Sequence, residues 1–159
     1  MDLQQNKMEK NQLKLKSLNI VLWSLQILLA ATFFWSGFVK LFTPAEELSR
    51  MWPWTEKNPI LVAIAGIADL LAGIGLTLPR LLRIWPAGTL YACYGIILLM
   101  AAAIIFHVSR GEIAQLGINF VVILITIAMI LLWKYLRKSS HTFLGDKAGS
   151  DGSMHPNSK

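Results

Sequence analysis

Hydrophobic positions along the chain fall into four long runs, at about residues 20–42, 60–78, 84–106 and 115–133. Inside each run the apolar residues are nearly continuous. They do not alternate as in a half-buried strand, and they are not confined to one stripe as in a surface helix. At about 1.5 Å rise per residue, each run wound as an α-helix reaches roughly the 30 Å of a hydrocarbon core. The pattern predicts an all-α integral membrane four-helix bundle. A transmembrane β-barrel would need alternation that is absent here. Lys7, Lys10, Lys14 and Lys16 precede the first run, as they would a signal peptide, but the run is well beyond the roughly 7–15 residues of a signal h-region. It reads as a retained span.

The polar stretches between and around these runs have their own pattern. Residues 1–16 are basic and polar, and residues 139–159 are polar and rich in Gly and Ser, so both are expected as disordered tails flanking a membrane domain at 17–138. In "FTPAEELSRMWPW", Thr43 can cap a helix, Pro44 suits its first position and Glu46 would complete a capping box. A short amphipathic helix is therefore expected in the first outer loop, ending near Pro53. Trp52 and Trp54 follow it, either as indole anchors at the headgroup level or as the lining of a site for a lipid-borne ligand.

Composition strengthens the membrane reading. Of 159 residues, 55% are hydrophobic and only 15% charged, too few charges to cover a soluble domain of this size. The net charge of +6 is not spread as a nucleic-acid footprint, so no nucleic-acid partner is expected. The basic residues instead set topology. Lys7, Lys10, Lys14, Lys16, Arg80, Arg83, Lys134, Arg137 and Lys138 lie on one side, and Arg50, Lys57 and Arg110 on the other. The positive-inside rule then puts both termini in the cytoplasm.

Against this background the polar residues inside the spans stand out. Gly66, Asp69 and Gly73 share one helical face of the second span, and the glycines there let a neighbouring helix come close. Thr32, Ser36 and Lys40 make a matching stripe on the first span. Gln115, Asn119 and Thr126 do so on the fourth, and His107 ends the third. Asp69 is the deepest, about 13–14 Å from the outer end of its span by helical rise. The cytoplasmic half offers only Gln26, Thr77 and Thr89 as comparable groups. This segregation predicts one polar cavity opening outward. Each member has a plain structural reading beside the functional one. Asp69 could be interhelical glue, Lys40 could snorkel to the interface, His107 could be solvated at a span end, and Asn119 could bond between helices.

Other chemistries are excluded by inventory. Cys93 is the single cysteine, so no disulfide or paired-thiol redox centre can form. The spans supply one histidine, too few for paired axial haem ligation, and neither a haem nor a metal site is expected.

The segments "WSGFVKLFTPAEEL", "GIADLLAGIGLTLPRLLRIWP" and "FHVSRGE" leading to "GINFVVI" resemble the DoxX-like membrane family. The resemblance runs from about Leu22 to Trp133. It departs from the family at the acidic position, commonly glutamate and here Asp69, whose shorter side chain reaches less far. The resemblance implies a multi-pass protein of the plasma membrane, the cytoplasmic membrane of a bacterium. The family takes its name from a subunit of a thiosulfate:quinone oxidoreductase, and distant relatives are linked to assembly of other membrane proteins. Two readings follow. In the first the chain is a small accessory subunit of a quinone-linked oxidoreductase. Asp69, Lys40 and His107 then serve as proton relay or quinone contacts, and Ser36, Asn119, Gln115, Trp52 and Trp54 line the ligand site. A soluble or membrane redox partner would carry the electrons. In the second it is a non-enzymatic membrane scaffold or assembly factor whose polar residues specify one helix arrangement.

Overall fold

Five α-helices form the described chain: α1 (Asp2–Phe42), α2 (Ala45–Met51), α3 (Pro59–Leu81), α4 (Gly88–Ser109) and α5 (Leu116–Gly152), with no strand among the described residues. The computed structural model describes residues 2–82 and 87–152, with side chains over 5–82 and 87–139. Four stretches are long and apolar enough to cross a membrane, Gln5–Phe42, Pro59–Leu81, Gly88–Ser109 and Ile113–Ser139. The predicted multi-pass helical bundle is the observed one. The start expected for the third span, together with Arg83, lies outside the described residues, and α4 runs beyond the expected end of that span to Ser109.

The spans pack in chain order. α1 packs on α3, α3 on α4, α4 on α5, and α5 closes the ring against α1. Short connections favour this arrangement, since they leave each helix beside its neighbour in sequence. The interior is built by Leu29, Phe33, Leu76, Ile96, Val122 and Met129. Ile60, Leu98, Ile105 and Leu131 remain largely exposed. On a soluble protein they would form an aggregation-prone surface, whereas on a spanning bundle they face lipid.

Helices α1 and α3 meet through glycine. A Cβ on Gly37 would stand 2.8 Å from the Gly66 carbonyl oxygen, and one on Gly66 2.9 Å from Leu41 Cγ. Both distances are below any real contact; at Gly37 the obstacle is backbone, so a larger residue there must move a helix, whereas at Gly66 the Leu41 side chain would have to shift. On the same face of α3, Gly73 packs on the Phe34 ring. The predicted small-residue face of the second span is thus the face on which α1 rests.

The first loop forms its short helix, but not with the expected cap. Pro44 rather than Thr43 occupies the N-cap of α2, and no side chain caps it. Glu46 turns outward to Arg50, 2.9 Å away on the next turn, so the capping box does not form. Leu48 is the buried face of this helix, and it packs with Trp54 and Val62 into a small second cluster over one end of the bundle.

Where the structure describes them, the tails also differ from what composition suggested; residues 153–159 of the second tail lie outside the described residues. The backbone is helical from Asp2 into the first span and from the last span to Gly152. The first glycine of the chain is Gly37 and the first proline Pro44, so nothing in the N-terminal stretch breaks a helix. Extending a helix already nucleated by a span also costs far less than starting one.

Candidate functional site

Ser36 and Lys40 lie four residues apart on α1, one turn of helix, and so point to the same side. The contact of Gly37 with Gly66 brings that side against α3, where Asp69 is one turn beyond Gly66. The result is an inward-facing triad. The Lys40 ammonium donates to Asp69 Oδ2 at 2.6 Å, and the Ser36 hydroxyl donates to the same oxygen at 2.8 Å. Asp69 is only 4% exposed, and the Lys40 side chain 14%. Lys40 therefore does not snorkel. Its ammonium also lies 5.6 Å from the Trp52 ring centroid, a distance at which the ring face attracts a cation. Asp69 Oδ1 takes no side-chain hydrogen bond, and no buried side-chain N or O among the described residues lacks a partner. This second oxygen is thus not fully buried, and Asp69 lines the cleft.

The end of α4 supplies the second polar group. His107 is buried, and its Nδ1 lies 2.8 Å from Glu112 Oε2. Glu112 reaches back because the helix closes with Gly111 at a φ of 72°. Its amide then bonds the His107 carbonyl, while the Gly111 amide bonds that of Val108. This is a Schellman closure, which needs the left-handed residue that glycine supplies. Arg110 Nε donates to the other carboxylate oxygen, Oε1, at 2.7 Å. Hydrogen bonds from Arg110 first, then His107, hold the Glu112 carboxyl below the usual glutamate range. An ionised carboxylate only accepts, so Nδ1 carries the hydrogen and Nε2 is left for the cleft.

Aromatic residues complete the walls. Trp54 is buried, with its ring edge-on to Phe106 at 5.8 Å and to His107 at 6.0 Å. Trp52 meets Trp35 edge-on at 6.1 Å. Trp54 is therefore a wall inside the protein rather than a headgroup anchor.

These parts enclose one cleft of about 660 Å³, within the size range of small-molecule sites. All eight residues expected from sequence line it: Ser36, Lys40, Trp52, Trp54, Asp69, His107, Gln115 and Asn119. For one of them, Asn119, the hydrogen bond differs from the interhelical one considered above. Gln115 sits in a 3-10 turn before α5, and Asn119 donates to its carbonyl oxygen at 3.1 Å. Asn119 therefore bonds within its own segment rather than between helices. Thr126 likewise bonds back to the Val122 carbonyl. Among the described residues no group of His, Cys, Asp and Glu side chains is placed to hold a metal ion.

Sequence reasoning missed Glu112 and Trp35. The signal for Glu112 was the glycine after the last helical residues, in "HVSRGE", which predicts a reversal that folds the next side chain back. Trp35 had none, since it reads as one more apolar residue of a span.

At the opposite end Gln26 is fully buried, donating to the Leu76 carbonyl and accepting from Arg80 at 3.3 Å. Arg80 also donates to Asn19 at 2.6 Å and lies over the Trp23 ring. This cluster ties α1 to α3 and is separate from the cleft.

The sequence profile of the DoxX-like family matches residues 24–129, which contains the whole cleft. Comparison with curated proteins and with solved structures gave no match.

Proposed function

The chain belongs to the DoxX-like family, and we propose that it is a small membrane subunit of a quinone-linked oxidoreductase, with the Asp69 cleft as the quinone head-group site. The carrying observation is the composition of that cleft. Flat rings of Trp52, Trp54 and Phe106 stand beside Lys40, His107 and Asp69, a lining suited to a planar ring with polar oxygens at its edge.

When bound, a quinone supplies the acceptor for electrons and protons. The chain's residues hold and protonate. The Lys40 ammonium presents N–H donors to a carbonyl oxygen, while His107, whose Nδ1–H is given to Glu112, offers Nε2 as the acceptor of a proton or of a quinol hydroxyl. Asp69 keeps Oδ1 open to the cleft as a proton-holding group, while Ser36 and Lys40 fix its other oxygen. Glu112 orients His107 and connects it to the loop between α4 and α5. Electrons come from a flavin- or metal-bearing partner protein. The positive-inside charge bias orients the chain with both termini cytoplasmic and the cleft outward in the plasma membrane.

The second reading, a scaffold or assembly factor, is favoured by one observation. The Lys40–Asp69 pair joins α1 to α3 one turn from the Gly37–Gly66 contact, where structural glue would sit.

Titration of detergent-purified protein with ubiquinone and menaquinone, read by thermal stability, separates the two. A ligand of the folded state stabilises it by about 2.7 kcal/mol at a hundredfold excess over its Kd. Saturable stabilisation of wild type is expected, lost in a folded Asp69→Asn variant. No stabilisation by either quinone, with the variant as stable as wild type, would replace the redox reading with the scaffold.

A further inference from the structure

The polar cleft does not end at Asp69. Ala68, Leu99 and Ala102 line both that cleft and a second cavity of about 620 Å³ between α3 and α4. The lining of this second cavity is apolar throughout, from Ala68 to Pro79 along α3 and from Ala102 to Gly88 along α4. By helical rise the α3 wall is about 16 Å long. An open groove therefore adjoins the cleft near the carboxylate and runs along the lipid-facing side of α3 and α4, where Leu71 and Leu98 are exposed.

One wall residue has no role in holding the spans together. A Cβ on Gly95 would meet nothing within 4 Å, and the residue is exposed. A glycine in mid-helix carries a conformational cost. At Gly37 and Gly66 close helix contact accounts for it, but at Gly95 it only leaves the groove open.

We infer that this groove holds the alkyl or prenyl tail of the molecule whose head group enters the cleft, so the ligand is a long-tailed membrane quinone. The inference rests on the quinone reading of the cleft. The order of linings carries it: polar and aromatic in the cleft, then an apolar groove that adjoins it across Ala68, Leu99 and Ala102. An amphiphile with a flat head and one tail matches that order. A phospholipid does not, because its phosphate would meet the Asp69 carboxylate and its two chains would share one groove. Lys40, the nearest cation on α1, is already paired with Asp69.

The test uses full-length protein in one detergent and two benzoquinones with the same head, one without a tail and one with a decyl tail. Gly95→Leu fills the groove without touching the polar cleft. Tail length also changes partitioning into micelles, so the decisive comparison is variant against wild type at the same quinone. Gly95→Leu is expected to weaken the decyl quinone by about tenfold or more and to leave the tailless one unchanged. Equal affinity of both proteins for the decyl quinone, with the tailless one still bound, overturns the groove and spares the cleft. So does a Gly95→Leu variant that changes only oligomeric state, which would assign the groove to a second copy. No binding of either quinone to wild type overturns the quinone reading itself. Should the variant fail to fold, a decyl quinone with a photoreactive tail end tests wild type directly. Labelling on the α3–α4 groove is the expected result, and labelling confined to α1 and α5 overturns the inference.

Discussion

Asp69 shows how a buried charge is kept in a bilayer. A charged side chain at mid-span costs about 2.5–3.5 kcal/mol on insertion scales, and a partner within hydrogen-bond distance is what offsets it. Lys40 and Ser36 both bond one carboxylate oxygen, and the other stays available. A pair whose only role was adhesion would gain from satisfying both oxygens. Glu112 makes the contrasting case outside the spans, because its charge is held by Arg110 and His107 and its folded pKa lies below the ordinary value. Stability from such a group is present above the unfolded pKa and is lost as pH falls through the folded one. Wild type is expected to melt above Glu112→Gln near neutral pH, with the gap closing below about pH 4. Melting curves of both proteins across that range check this, and a gap that persists in acid would remove the carboxylate charge from the account.

At the scale of elements, glycine acts in two opposite ways. Gly37 and Gly66 let α1 and α3 touch, and that contact sets Lys40 opposite Asp69. Gly37→Val is expected to cost about 1–3 kcal/mol through overpacking and to loosen the triad one turn away. Gly95→Ala, with open space at its Cβ, is expected to be neutral or to stabilise by about 0.5–1 kcal/mol. Denaturation in mixed micelles measures both. Equal effects would mean that the α1–α3 contact is not where the bundle is tight. The Gly111 closure works on the same scale, since a left-handed residue at the end of α4 puts Glu112 over His107.

For the whole molecule, four spans return both termini to the same side, and basic residues decide which side that is. Cys93 is buried, so cysteines introduced at the surface report topology. A membrane-impermeant thiol reagent on intact cells is expected to label Glu56→Cys, in the loop before α3, and to reach Ser139→Cys only after permeabilisation. The opposite pattern would invert the orientation and place the cleft on the cytoplasmic side.

The number of spans and the stripe of Ser36 and Lys40 were legible in the chain because they depend on composition and helical period, which are local properties. The deep position of Asp69 on a glycine face was legible for the same reason. The cap of α2 was less so, since Thr43 and Pro44 both suit the start of a helix and only packing of Leu48 on Val62 chooses the register. Whether Lys40 reaches the interface or the carboxylate depends on the lateral distance between α1 and α3. The fit of Gly37 against Gly66 sets that distance. The inward turn of Trp54, the return of Glu112 to His107 and the placing of the α3–α4 groove beside the cleft are likewise decided between elements. No period in a single helix encodes them, because each depends on how two surfaces meet.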